Sequence, residues 1–130
     1  MEKVRLLIID EHEAVRQALA TRLSSASSIE VVAAAQDIFT PEFVGSGYSD
    51  VVLLGLKSNS DLDLDATIGT VESLTQSGTA VIILTSYADD IERELVLHAG
   101  AYRYLLKDIN SHQLISEIIE VAHEQARPVA

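Results

Sequence analysis

The chain has 130 residues, and its 9 lysines and arginines stand against 20 aspartates and glutamates, giving a formal net charge of −11. That length suits a single domain that buries its core without covalent help, and the acidity repels nucleic-acid backbones instead of recruiting them. Cysteine is absent, which removes disulfides and thiolate zinc sites and suits a reducing cytoplasm.

The first apolar run, Val4 to Ile9, is too short for a signal peptide or membrane span and meets an acid at Asp10, so a soluble cytoplasmic protein with no membrane association is expected. It reads as a strand. After it, Ala14, Val15, Ala18, Leu19, Leu23 and Ala26 recur at helical spacing, with Arg16, Gln17 and Arg22 on other faces. Val31 to Ala35 predicts a second strand. Thr40-Pro41 then predicts a capped helix, cut short by Gly45 and Gly47. A third strand, Val51 to Leu54, ends at Gly55. Residues 65–77 predict a helix with Ile68, Val71 and Leu74 on one stripe and Gly78 as its left-handed stop.

Ala80 to Leu84 predicts a fourth strand. Asp89 and Glu92 form a capping-box pair ahead of Ile91, Leu95 and Ala99, and Gly100 closes that helix. Tyr102 to Leu106 predicts the fifth strand, with Tyr102 and Tyr104 on opposite faces. Asn110 and Gln113 cap a last helix that turns Leu114, Ile115, Ile118, Ile119 and Ala122 inward and is limited by Pro128. Residues 1–124 are expected to form the domain and 125–130 a tail or the start of a linker to an output domain.

Near-continuous apolar strands alternating with helical segments require a sheet covered on both faces, which makes the fold class α/β with a parallel, doubly wound sheet. In such sheets ligands lie beyond the carboxyl ends of the strands. Asp10-Glu11, Gly55, Thr85-Ser86 and Lys107-Asp108 each follow or end a predicted strand, so four separate segments converge on one rim.

The segments Val4-Arg5-Leu6-Leu7-Ile8-Ile9-Asp10-Glu11-His12-Glu13, Ile29 to Ala35, Ile82-Ile83-Leu84-Thr85-Ser86 and Ala99-Gly100-Ala101-Tyr102-Arg103-Tyr104-Leu105-Leu106-Lys107-Asp108 resemble the receiver domain of two-component response regulators. The ending Tyr104 to Asp108 is similar to that of LuxR-type members. The resemblance implies a flavodoxin-like sheet of five parallel strands in the order 2-1-3-4-5. It also implies that Asp10 and Glu11 match the magnesium-holding acids, Thr85 the phosphate-contacting hydroxyl, Lys107 the neutralising ammonium and Tyr104 the switch aromatic. The phosphoryl acceptor, an aspartate in the family, falls on Gly55.

Glycine carries neither a nucleophile nor a metal ligand, so an acyl phosphate cannot form at position 55 and magnesium binding is expected to be weak or vestigial. The segment from Leu56 to Asp65 also lacks the proline and glycine usual after the acceptor. A degenerate receiver, not an enzyme, is the expectation. Asp61, Asp63 and Asp65 either replace the acceptor or cap the following helix; they lack the glycine and distant glutamate of a calcium loop. Asp10 and Glu11 also read as helix-capping acids, though the company of Lys107 and Thr85 favours the site reading; Lys107 is expected to pair with Asp10, and Thr85-Ser86 reads alternatively as a turn initiator.

The four histidines, His12, His98, His112 and His123, show no metal-binding spacing and read as surface or helix-end residues. The expected function is regulation of a transcription-factor output by homodimerisation or partner docking without ordinary aspartyl phosphorylation. Leu97, His98, Tyr102 and Val121 are the candidate contacts, a sensor kinase is a candidate partner, and DNA is engaged only through an output domain outside this chain. The alternative is a receiver phosphorylated at a displaced acid, or one that senses a small anion in the vacated crevice.

Overall fold

The computed structural model describes residues 3–36, 49–56 and 61–126. The elements run β1 (Val4–Ile9), α1 (Glu13–Ser24), β2 (Ile29–Ala35), β3 (Val51–Gly55), α2 (Asp61–Gln76), β4 (Ala80–Thr85), α3 (Asp90–Ala99), β5 (Arg103–Leu106) and α4 (Ser111–Ala126). All strand pairings are parallel, and the order across the sheet is β2-β1-β3-β4-β5. The helix expected at Thr40-Pro41, the segment 57–60 and Pro128 lie outside the described residues.

Strand alternation divides the core between the two faces of the sheet. Leu6 and Ile8 of β1 join Leu53, Ile82, Leu19, Leu23, Leu114, Ile118 and Val121 on the face covered by α1 and α4. Leu7 and Ile9 join Val52, Leu54, Val81, Ile83, Val71, Leu74 and Val96 on the face covered by α2 and α3. Each such aliphatic side chain removed from water contributes about 1.5–3 kcal/mol before entropy is set against it. Tyr102 packs with the first group and Tyr104 with the second. Residues two apart within a strand share a face, so alternation is not the cause; the split arises because β5 begins only at Arg103 and Tyr102 precedes it.

Several boundaries and faces differ from the sequence reading. The helix α2 begins at Asp61 instead of residue 65, so Asp61, Asp63 and Asp65 all lie in its first turns. Only the Asp65 side chain is among those described, and it is exposed. Gly55 is the last residue of β3, paired with Leu84, and not the residue after it. At the end of α4, Gln125 and Ala126 are helical, and the Gln125 amide donates to the Gly78 carbonyl, so the helix outruns the expected boundary at residue 124.

In α1 the buried side chains are Leu19 and Leu23, whereas Ala14 and Ala18 are exposed. In α3 the side chain in the core is Val96, while Ile91 and Leu95, which share a stripe by spacing, are 69% and 41% exposed. The cause is position. This helix packs against α2 and the edge strand β5, so a narrow side is covered and the remainder faces water. Val121 is fully buried, which removes it as a contact candidate, whereas Leu97 and Tyr102 are half-buried against the core clusters and His98 is exposed.

Helix ends follow the local chemistry. The Asp89 carboxylate accepts the Glu92 N–H at 2.8 Å, and the Asn110 side-chain carbonyl accepts that of Gln113 at 3.1 Å. Gly100 closes α3 at φ +125°, where a Cβ would also come within 2.7 Å of Thr75 Oγ1. At the opposite end of the sheet Arg5 and Asp50 clamp β1 to the start of β3 through the Arg5 N–H at 2.8 Å and its guanidinium at 3.0 Å. Partial burial acts to raise the Asp50 pKa but is outweighed by these hydrogen bonds and the adjacent positive charge, which together hold it below 3.8.

Candidate functional site

Parallel register brings the carboxyl ends of β1, β3, β4 and β5 to one edge. Ile9 pairs with Leu54, Gly55 with Leu84 and Thr85 with Leu106, so the residues at and just past these ends converge. Asp10, directly after β1, is 2% exposed despite its charge. A buried carboxylate is costly unless its oxygens are met.

Both oxygens have partners. Asp10 Oδ1 accepts the backbone N–H of His12 at 2.9 Å, a turn that leads into α1, and the His12 ring Nδ1 lies 3.3 Å from the same oxygen. Asp10 Oδ2 lies 2.8 Å from Lys107 Nζ. No aligned hydrogen bond reaches Oδ2, so the ammonium meets it as an ion pair without a directed N–H. The Arg16 guanidinium donates to the Asp10 carbonyl at 2.7 Å. This places a second cation against the same residue.

Gly55 explains how the carboxylate fits. A Cβ on Gly55 would lie 2.0 Å from Asp10 Oδ2 and 2.7 Å from Asp10 Cγ, far inside contact distance. The Asp10 side chain therefore occupies the volume that any other residue at position 55 would claim. Only glycine permits this approach.

Thr85 is buried, and its hydroxyl is engaged in a local turn, donating to the Tyr87 carbonyl at 3.0 Å while accepting the Tyr87 N–H at 3.3 Å. The Tyr104 hydroxyl donates to Glu92 Oε1 at 2.5 Å and accepts the Asp89 N–H at 3.1 Å. Burial, with the Glu92 carboxylate second, pushes the Tyr104 pKa up from 10.0 to about 12. Tyr104 thus ties β5 to the first turn of α3.

The structure brings Asp10, Gly55 and Lys107 into one contact group, with Thr85 on the neighbouring strand end and Tyr104 held to α3. Glu11 is half-buried beside Asp10. His12, Arg16 and Glu92 were not assigned to the site from sequence. His12 and Arg16 enter because α1 starts just after Asp10 and carry no motif, and Glu92, read from sequence only as a helix-capping acid, enters because the β5–α3 packing sets it opposite Tyr104. Among the described residues no three acidic or histidine side chains are grouped to hold a metal ion. Asp10, whose carboxylate already serves Lys107 and the His12 N–H, is a poor fit to a magnesium shell as it stands.

Residues 6–119 match the family described as the response regulator receiver domain, and the chain belongs to that family. Among its relatives is the transcriptional regulatory protein LiaR of Bacillus subtilis, 34% identical over 116 residues, which cover 88% of this chain and 54% of LiaR. The response regulator VraR of Staphylococcus aureus is 28% identical over 118 residues, with the same coverage of 88% and 54%. The chain thus spans about half the length of these relatives. The solved receiver domain of the putative regulator NarL from Mycobacterium tuberculosis superposes with a TM-score of 0.77 at 24% identity, over 98% of this chain and 100% of that one, and shares the fold.

Receiver domains are signalling modules, and the five-stranded order found here is theirs. No helix among the described residues is long and apolar enough to cross a membrane.

Proposed function

We propose that this chain is a receiver-type module of a LuxR-type transcription regulator that signals through its protein surfaces without ordinary aspartyl phosphorylation. The observation that carries this reading is Gly55 at the end of β3, beside Asp10 and across from Lys107, where the family keeps its acceptor aspartate. Phosphoryl transfer to a receiver needs a carboxylate nucleophile with a metal and a cation to offset charge. Position 55 supplies no nucleophile, while the Lys107 cation is already paired.

The surface that supports docking is the outer side of α3 and the loop before it. Tyr87, Ile91 and Leu95 are 74%, 69% and 41% exposed, an unusual density of large apolar groups at a helix face. A second copy of the chain is the occupant we assign to it, with a sensor kinase as a further partner and a cytoplasmic setting. LiaR is named as a transcriptional regulatory protein, and the matched residues cover only 54% of it, which supports DNA contact through an output domain outside these residues.

Sensing of a small anion in the crevice draws less support, because Asp10 already fills the space over Gly55 and neutralises Lys107. Transfer to a displaced acid leaves Asp65 as the described candidate, exposed on α2. Incubation with magnesium and acetyl phosphate or beryllofluoride, followed by intact mass and amide NMR, tests the reading. The expected result is an unchanged mass and unmoved Thr85 and Tyr104 amides. Covalent phosphate on Asp61, Asp63, Asp65 or any other acid overturns it.

A further inference from the structure

Asp10 and Gly55 are geometrically interdependent. The carboxylate of Asp10 reaches Lys107 only by lying where a Cβ at 55 would stand, 2.0 Å from its Oδ2. Its other oxygen is committed to the His12 N–H at 2.9 Å, and its carbonyl to Arg16 at 2.7 Å. The residue is therefore held at three points, by Lys107 just past β5, by His12 at the start of α1 and by Arg16 within α1, and it is 2% exposed.

We propose that Asp10 serves as the crevice's resident anion, taking over the counter-ion place at Lys107, and that this withdraws it from divalent-cation binding. The inference rests on reading position 55 as the former acceptor. A magnesium ion demands a nearly octahedral oxygen shell and gives up water reluctantly. To reach Asp10 Oδ2 it would sit against the Lys107 ammonium, and to reach Oδ1 it would have to share that oxygen with the His12 N–H beside the His12 ring, whose Nδ1 lies 3.3 Å away. Glu11 is left as an adjacent acid without a free neighbour to complete a pair of ligands. The crevice is then neutral at its centre without metal or phosphate, and its geometry is independent of both.

Glycine at 55 is the permissive condition for this arrangement, so restoring bulk there should undo it. In Gly55→Ala the added Cβ forces Asp10 away from Lys107 and out towards Glu11. Lys107→Met releases the same carboxylate without adding an atom at 55, and covers the case in which the alanine variant folds poorly. Magnesium titrations of all three isotopically labelled proteins, read from the amides of Asp10, Glu11 and His12, measure the effect. Both variants are expected to bind magnesium at least about tenfold more tightly than the unaltered chain, the scale typical of changes just outside a metal's ligands.

Equal magnesium affinity in the three proteins overturns the inference. The same samples treated with acetyl phosphate and weighed by intact mass separate it from the reading beneath it. An unchanged mass with equal affinities removes the resident-anion role and leaves the phosphorylation-independent module standing. A phosphate adduct on the unaltered chain removes that reading instead.

Discussion

Lys107 Nζ lies 2.8 Å from Asp10 Oδ2, and the pair is more enclosed on the carboxylate side, with side-chain exposures of 14% and 2%. The pair is made across the sheet's carboxyl edge from residues 97 positions apart in the chain. Breaking it from the cation side strands a buried charge. Lys107→Met should therefore destabilise the fold by about 3 kcal/mol, the lower end of the range for one-sided loss of a buried pair. Adding Asp10→Asn should recover part of that, because the uncompensated charge is then gone. Urea unfolding of the four-member cycle gives the numbers, and a loss under about 0.5 kcal/mol in the single variant would reduce the pair to the worth of a surface bridge.

Tyr104 offers a second handle, through Glu92 and the Asp89 N–H. Tyr104→Phe keeps the ring in its apolar setting and deletes the hydroxyl, so a cost of about 1 kcal/mol is expected. The pH dependence has a definite sign. The folded pKa is raised above the unfolded 10.0 to about 12, so the hydroxyl's contribution is complete below pH 10 and is lost as the pH climbs through about 12. Tyrosinate absorbance of the native protein, with the Phe variant's titration subtracted, should show one group ionising above the others. A difference curve centred near 10 would remove the α3 tie.

Ile91 and Leu95 stand one turn apart on the outer side of α3, next to the exposed Tyr87. Ile91→Glu with Leu95→Glu should leave monomer stability within about 0.5 kcal/mol, since neither side chain is in the core. Self-association should fall sharply. Each copy carries a charge of −11, so association of the unaltered chain should strengthen with added salt as repulsion is screened. Sedimentation equilibrium at low and high salt measures both effects, and a double variant that still dimerises would place the interface elsewhere.

Periodicity and end signals made much of the fold legible. The runs at Val4 to Ile9, Val51 to Leu54 and Ala80 to Leu84 are apolar on consecutive positions because both sides of a central strand are covered. The caps at Asp89 and Asn110 and the stop at Gly100 are local chemistry, needing only neighbours in sequence. The phase of α3 was not legible in the same way. Ile91, Leu95 and Ala99 make a good stripe by spacing, but which stripe is buried depends on where the helix lands, and at the sheet edge Val96 is the side chain that α2 covers.

The polar site divides along the same line. That Asp10, Gly55, Thr85 and Lys107 end up together follows from a parallel sheet whose strands all point their carboxyl ends one way, and so was present in the order of the segments. What each group does there was decided by tertiary contact. The absence of a Cβ at 55 leaves a space on the order of one small group, and a buried charge seeks its nearest counter-ion, so Asp10 turns into that space to meet Lys107. The chain's own order determined which residues would share the crevice; only close packing, which no spacing rule carries, decided that the acid after β1 would lie 2.8 Å from Lys107, in the volume that a Cβ at the end of β3 would claim.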